Sequence, residues 1–135
     1  MASGLEDFKI SEDALVVDLH LHSSASDGEY PPRRVMMRAK SAGLSVVSLT
    51  DHDTVAGLDE AREEAKRLGL EFVNGIELSS VHGGRLVHIL GHFFRPEDPE
   101  LGAQMKKYME NRRSRMGEML ERLLALGVPI DKDDF

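Results

Sequence analysis

The chain has no cysteine. That absence removes a disulfide framework and a thiolate metal site, so any metal must be held by nitrogen and oxygen. No apolar run approaches the roughly 20 residues that a membrane helix needs. The first residues, Met1-Ala-Ser-Gly-Leu-Glu-Asp, are acidic and carry no apolar signal core, which argues for a cytoplasmic chain. Positive charge is also short: 17 Lys and Arg stand against 24 Asp and Glu, a formal net charge of −7. A surface of that sign is unsuited to broad binding of duplex nucleic-acid backbone. A small anionic substrate stays open, because bound cations would invert the local field. The sequence also lacks a Gly-rich phosphate loop, a serine-type nucleophile elbow, low-complexity stretches and internal repeats.

What is present fits one soluble domain of 135 residues with a modest core, 41% hydrophobic and 30% charged. Its most informative stretch is Asp18-Leu-His20-Leu-His22, followed by Ser26-Asp27-Gly28. Two histidines two residues apart point to one face of a strand. The apolar run Leu15-Val16-Val17-Asp18-Leu19 predicts a buried strand that ends by aiming two imidazoles at one point. Asp27, on the loop beyond, can add an oxygen ligand. By itself it would be a turn residue before Gly28.

Strand and helix signals then alternate. Pro31-Pro32 opens a helix through Lys40 that stops near Gly43. Leu44–Leu49 reads as a second strand, and Val55–Leu68 as a second helix ended by Gly69. Leu58, Ala61, Ala65 and Leu68 lie on that helix's apolar face. A third strand runs from Leu70 through Gly75 to Leu78. His82-Gly83-Gly84 turns the chain into a fourth strand, Leu86–Phe94, antiparallel to the third. A long charged helix covers about Leu101 to Leu126. This order implies right-handed crossovers and a mainly parallel sheet, in which chemistry gathers at the C-terminal ends of strands. His20, His22, His52 and Glu77 all fall at such ends.

The other polar groups follow the same logic. Thr50-Asp51-His52-Asp53-Thr54 follows a buried strand immediately. Asp53 or Thr54 could cap the second helix, but capping does not explain His52, which reads as a ligand. Asp18, Asp51 and Asp53 are better suited to orienting ligands than to ligation. Glu77, between Ile76 and Leu78, is costly to bury unless a cation or hydrogen bonds compensate, and one carboxylate can bridge two ions. His88, between Val87 and Ile89, fits the same pattern. His92 reads as structural and His82 as solvated. The methionines at 36, 37, 105, 109, 116 and 119 read as helix core or partner-facing surface. Arg112-Arg113-Ser-Arg115 reads as a solvated helix face that could offer cations to a phosphate.

Taken in order, Asp18-x-His20-x-His22 with Ser26-Asp27-Gly28, Thr50-Asp51-His52-Asp53-Thr54, Gly75-Ile76-Glu77 and Val87-His88-Ile89-Leu90-Gly91 resemble the PHP (polymerase and histidinol phosphatase) superfamily. The resemblance is to its stand-alone phosphoesterases, which include 3′,5′-nucleoside bisphosphate phosphatases and 5′→3′ oligoribonucleases. It implies an α/β fold, the N-terminal portion of a distorted barrel of seven β/α units. Residues 1–14 would be a tail, 15–96 the first half of the PHP domain, and 97–135 a long helix beginning an inserted helical subdomain. The family's later strands carry a further histidine and an Asp-x-His pair that this sequence does not contain. The fourth strand would then be an open edge through which copies could associate.

The resemblance further implies two or three divalent ions of manganese, iron or zinc. His20, His22 and Glu77 would hold one, Glu77 and His88 a second, Asp27 and His52 the third. The expected activity is hydrolysis of a phosphate ester of a nucleotide or short oligonucleotide by metal-activated water, without a protein nucleophile. Histidinol phosphate is the alternative substrate, and a non-catalytic metal-binding or partner-docking module the alternative class. A structural zinc site fits poorly, because six candidate ligands are spread over four strand ends.

Overall fold

Helix and strand boundaries follow the punctuation of the sequence. The computed structural model describes residues 15–130. The expected tail at 1–14 and the last residues, 131–135, lie outside the described residues. The elements are β1 (Val17–Leu21), α1 (Pro32–Ser41), β2 (Val46–Leu49), α2 (Leu58–Leu68), β3 (Glu71–His82), β4 (Arg85–His92) and α3 (Pro99–Ala125). Pro32 sits in the first turn of α1, where its missing N–H costs nothing. α2 ends on Gly69 in the left-handed conformation. The Asp98 carboxylate caps α3 by accepting from the Glu100 and Leu101 amides.

The strands form one sheet in the order β1-β2-β3-β4. β1, β2 and β3 are parallel, and β4 folds back antiparallel on β3 through the Gly83-Gly84 turn. α1 and α2 are the two crossovers and pack on one face of the sheet. Their Val35, Met36, Ala39, Leu58, Ala61 and Ala65 meet Val47 and Leu49 of β2 in the core. Met36 is fully buried, a burial that contributes about 1.5–3 kcal/mol. Of the remaining methionines of interest, Met105 is buried, whereas Met37, Met109, Met116 and Met119 are exposed.

Glu64 of α2 ties the two helices together. It is 5% exposed, accepts from the Arg67 guanidinium one turn on, and lies 3.8 Å from Arg33 of α1. The Arg67 hydrogen bonds, aided by the charges of both arginines, hold its carboxyl below the ordinary glutamate range. A buried carboxylate tolerates that position because it is paired.

The opposite face of the sheet is concave. His92 of β4 reaches across it, with Nε2 2.9 Å from the Leu19 carbonyl oxygen on β1. A contact between the first and last strands of the order requires the sheet to curl into half a barrel. Among the described residues no strand pairs with the outer edge of β1 or β4, and Leu86, Val87, Ile89 and Leu90 of β4 are exposed. No described helix is long and apolar enough to cross a membrane.

Three expectations need correction. β1 starts at Val17 rather than Leu15 and is not buried, with Val17 49% exposed. It is an edge strand, so an apolar run does not secure cover on both faces. α2 begins at Leu58, three residues later than Val55. The intervening residues form a turn in which Thr54 Oγ1 accepts from the Ala56 amide. Asp53 does not cap α2; the N-cap position is Gly57, without a side-chain cap.

Candidate metal centre

Side chains alternate along each strand, so the residues not facing the helices face the concavity. Leu21, Val47, Leu49 and Phe72 pack toward α1 and α2. Their neighbours of opposite parity point inward, which delivers His20 and His22 from the end of β1 and Glu77 from β3. Beyond β2 the backbone stays paired with β3: the Asp53 amide donates to the Glu77 carbonyl at 2.9 Å, and His52 sits opposite Glu77 in a parallel bridge. That extension puts the His52 imidazole beside the Glu77 carboxylate.

Glu77 is the hub. Its Oε2 lies 2.9 Å from His20 Nε2, 3.0 Å from His22 Nε2 and 3.6 Å from His52 Nε2. Its Oε1 lies 2.8 Å from His88 Nδ1. Asp27 forms a second acidic pole, with Oδ1 3.1 Å from His22 Nδ1 and Oδ2 3.5 Å from His52 Nε2. The rings are close: centroids of His20 and His22 are 5.1 Å apart, and those of His52 lie 4.8 Å from both His22 and His88. Donor atoms fall within 4.8 Å of one another in three overlapping groups: His20/His22/Glu77, His22/Asp27/His52 and His52/Glu77/His88. Four imidazoles and two carboxylates thus converge, and His22, His52 and Glu77 each serve two groups.

The surrounding aspartates hold backbone rather than imidazoles. Asp51, almost fully buried, accepts from the Ser23 amide at 2.7 Å and from the Ser23 and Ser26 hydroxyls, each at 2.6 Å. Those bonds fix the loop that carries Asp27. Gly28 completes the loop, because a Cβ there would come within 2.6 Å of the His22 carbonyl oxygen. Asp53, at φ 52°, accepts from the Ser79 amide at 2.8 Å and so ties the His52 turn to β3. Asp18 accepts from the His20 amide at 3.0 Å. Ser26 belongs to the Ser26-Asp27-Gly28 motif read in the sequence, whereas Ser23 carries no signal there, since hydroxyl donors and acceptors are common in loops.

The electrostatics favour a cation. Burial alone would raise the Glu77 carboxyl, but the His20 hydrogen bond and the charges of His52, His20 and His22 outweigh it, leaving the group below its ordinary range. At Asp27 burial again opposes ionisation, and His52, His22, the Ser26 hydroxyl and the backbone overcome it. Both groups are therefore carboxylates, while the imidazole nitrogens are crowded. His52 Nδ1 is buried without a hydrogen-bond partner, and His22 Nδ1, although 3.1 Å from Asp27 Oδ1, makes no well-aligned hydrogen bond to it. Such an orphan costs about 1–3 kcal/mol. A divalent ion relieves the crowding around the carboxylates, because neutral imidazole nitrogens and ionised carboxylates are its donors. The donor set fits a metal centre.

A cavity of about 710 Å³ opens above the cluster. Asp27, His52, Asp53 and His88 line its floor, and Tyr108, Asn111, Arg112 and Arg115 of α3 line the facing wall. Arg112 and Arg115 thus border the site instead of lying on a fully solvated face. The spacing of three residues between them was the available signal. His92 is engaged with Leu19 and stands apart from the three donor groups. His82 is exposed in the β3–β4 hairpin.

Comparison with known proteins gives a consistent result. The PHP domain family matches residues 18–115. A 5′-3′ exoribonuclease of Haemophilus influenzae is 40% identical over 112 residues, which cover 83% of this chain and 41% of that protein. A 3′,5′-nucleoside bisphosphate phosphatase of Chromobacterium violaceum is 41% identical over 112 residues, covering 83% and 39%. Among solved structures, a candidate metal-dependent phosphoesterase from Bifidobacterium adolescentis superposes with a TM-score of 0.81 at 35% identity, covering 90% of this chain and 42% of that one. The chain spans about two-fifths of the length of each of these relatives.

Proposed function

Because this chain belongs to the PHP domain family, we propose that it carries the metal centre of a metal-dependent phosphoesterase acting on a nucleotide or short oligonucleotide. The observation that carries this reading is the Glu77 carboxylate, contacted through both oxygens by imidazoles of three separate segments. In this reading His20, His22 and Glu77 would hold one divalent ion, Glu77 and His88 a second, and Asp27 and His52 a third. The ions, when bound, supply Lewis acidity that activates a water and neutralises charge on phosphoryl oxygens. The protein's own part is positional. Asp51, Ser23, Ser26 and Gly28 fix Asp27, and the Asp53–Ser79 bond fixes His52. Residues 15–96 supply the metal-bearing half of the barrel, and the segment from 97 onward supplies the helix over its mouth. Substrates named for the relatives, a nucleoside bisphosphate and RNA ends, suit a cavity that has cations on one wall and metal donors on the other.

The test is phosphate release by the protein carrying this sequence, with manganese as the first ion tried. Adenosine 3′,5′-bisphosphate should be hydrolysed at least about tenfold faster than histidinol phosphate, and His52→Ala should lower the rate at least about 100-fold. Release that is independent of added divalent ion, or unaffected by His52→Ala, would overturn the proposal. Faster release from histidinol phosphate would move the substrate to that class.

A further inference from the structure

β1 carries one residue more than the stretch of β2 that it pairs with. The Val46 amide donates to the Val16 carbonyl and the Thr50 amide to the Leu21 carbonyl, so residues 17–21 run beside residues 47–50. The register shifts between Asp18, which pairs with Val47, and Leu21, which pairs with Leu49. Leu19 and His20 are left without a partner on β2 among the described residues, the pattern of a β-bulge. The bulge decides where the histidines point. Val47 and Leu49 both face the helices, so their partners Asp18 and Leu21 face that side too. Residues three apart share a face only if the alternation is broken once between them. On an unbroken strand His20 and His22 would follow Asp18 onto the helix side, away from Glu77. The bulge turns both imidazoles into the concavity.

A bulge on an edge strand has few neighbours to hold it, so the groups it frees must be pinned from elsewhere. The Asp18 carboxylate accepts from the His20 amide at 3.0 Å. The Leu19 carbonyl accepts from His92 Nε2 at 2.9 Å, a bond that reaches from β4 past two intervening strands. A carbonyl only accepts, so this bond places the His92 proton on Nε2. Small residues lie between the two ends: His92 pairs with Gly75 of β3, and Ser48 is the inward residue of β2 between Val47 and Leu49. We propose that His92 is a positioning residue, which by holding the Leu19 carbonyl locks the β1 bulge in the form that aims His20 and His22 at Glu77. The proposal rests on the metal-centre reading for what the aimed imidazoles do, and on the backbone register alone for the aiming. His92 belongs to none of the three donor groups, and its effect passes through the Leu19 peptide, which adjoins His20. Without the pin the strand can slip into regular register, and a slip of one residue exchanges His20 and His22 for Leu19 and Leu21 on the inner face.

Nuclear magnetic resonance of the metal-free chain, paired with a cobalt titration, tests this. In the parent the His92 Nε2–H should exchange slowly with water. The His22 and His52 rings, with centroids 4.8 Å apart, should show a mutual nuclear Overhauser effect. His92→Phe keeps an aromatic ring and removes the donor, so it should lose that ring-to-ring effect and weaken cobalt binding at least about tenfold. His92→Gln returns an N–H donor near the place of Nε2, and should restore the ring contact and bring cobalt affinity to within about threefold of the parent. Ala61→Gly, in the core face of α2, lowers the urea midpoint without altering β1 or β4. It should keep both readouts, which separates positioning from a general loss of stability. An unchanged ring contact in His92→Phe, no recovery in His92→Gln, or an equal loss in Ala61→Gly would each overturn the proposal. A ring contact that depends on His92 in a parent chain that binds no cobalt would sink the metal-centre reading alone and uphold the proposal.

Discussion

Glu77→Gln is expected to weaken manganese binding by at least about 100-fold while the chain stays folded. Glutamine has the shape of glutamate, so strand packing around this 4% exposed residue is preserved. What changes is the donor set. Both oxygens of Glu77 now face imidazole nitrogens, three around Oε2 and one at Oε1. An amide offers one neutral oxygen and turns an N–H₂ donor toward either His20 and His22 or His88. Either orientation removes Glu77 from one of the two groups that share it, and its negative charge from both. Manganese titration followed by electron paramagnetic resonance reads the loss, with circular dichroism confirming the fold. Affinity within threefold of the parent would show that Glu77 is not the shared ligand.

Gly75→Ala is expected to be strongly destabilising. A Cβ at that position would lie 2.1 Å from Ser48 Oγ, 2.6 Å from Thr50 Cγ2 and 2.8 Å from the Leu49 carbonyl oxygen. A serine rotamer can change, but the Leu49 backbone cannot without parting β2 from β3. Overpacking of this kind costs about 1–3 kcal/mol and occasionally more. The upper end applies here because the clash lies between paired strands. The damage also reaches the metal centre, since Glu77 follows two residues later on the same strand and His52 is positioned by pairing with it. Urea denaturation should therefore show a lowered midpoint, and the folded fraction should bind manganese less tightly. Adding Ser48→Ala removes the nearest contact and leaves the backbone one, so it should recover part of the stability. A variant as stable as the parent would mean that β2 and β3 are further apart at this point than described.

Much of this arrangement is legible in the sequence because it depends on local chemistry. Pro32 and Gly69 mark helix ends whatever the tertiary context, and the two-residue spacing of His20 and His22 fixes their common face. The Gly83-Gly84 pair announces a hairpin. Features that depend on distant partners are less legible. The Leu15–Leu19 run looks central, yet among the described residues β2 alone pairs with β1, which leaves it an edge. Asp53 has a capping residue's composition but is taken by the Ser79 amide, 26 residues away. The inward turn of Arg112 and Arg115 depends on where α3 lies across the barrel mouth. A helical period of three or four residues cannot say which face meets the site. Gly75 looks like an ordinary strand glycine until Ser48 of β2 and Thr50 just beyond it are set against it.

The central claim is that the chain's own histidines and carboxylates form a multi-ion centre around Glu77. Elemental mass spectrometry of the chain, purified without chelator or affinity metal and then dialysed against manganese, tests it most directly. The account predicts two or more equivalents of divalent metal per chain, because the two Glu77 oxygens serve different donor groups. One equivalent would contradict the shared role of Glu77, and none would contradict the metal centre itself.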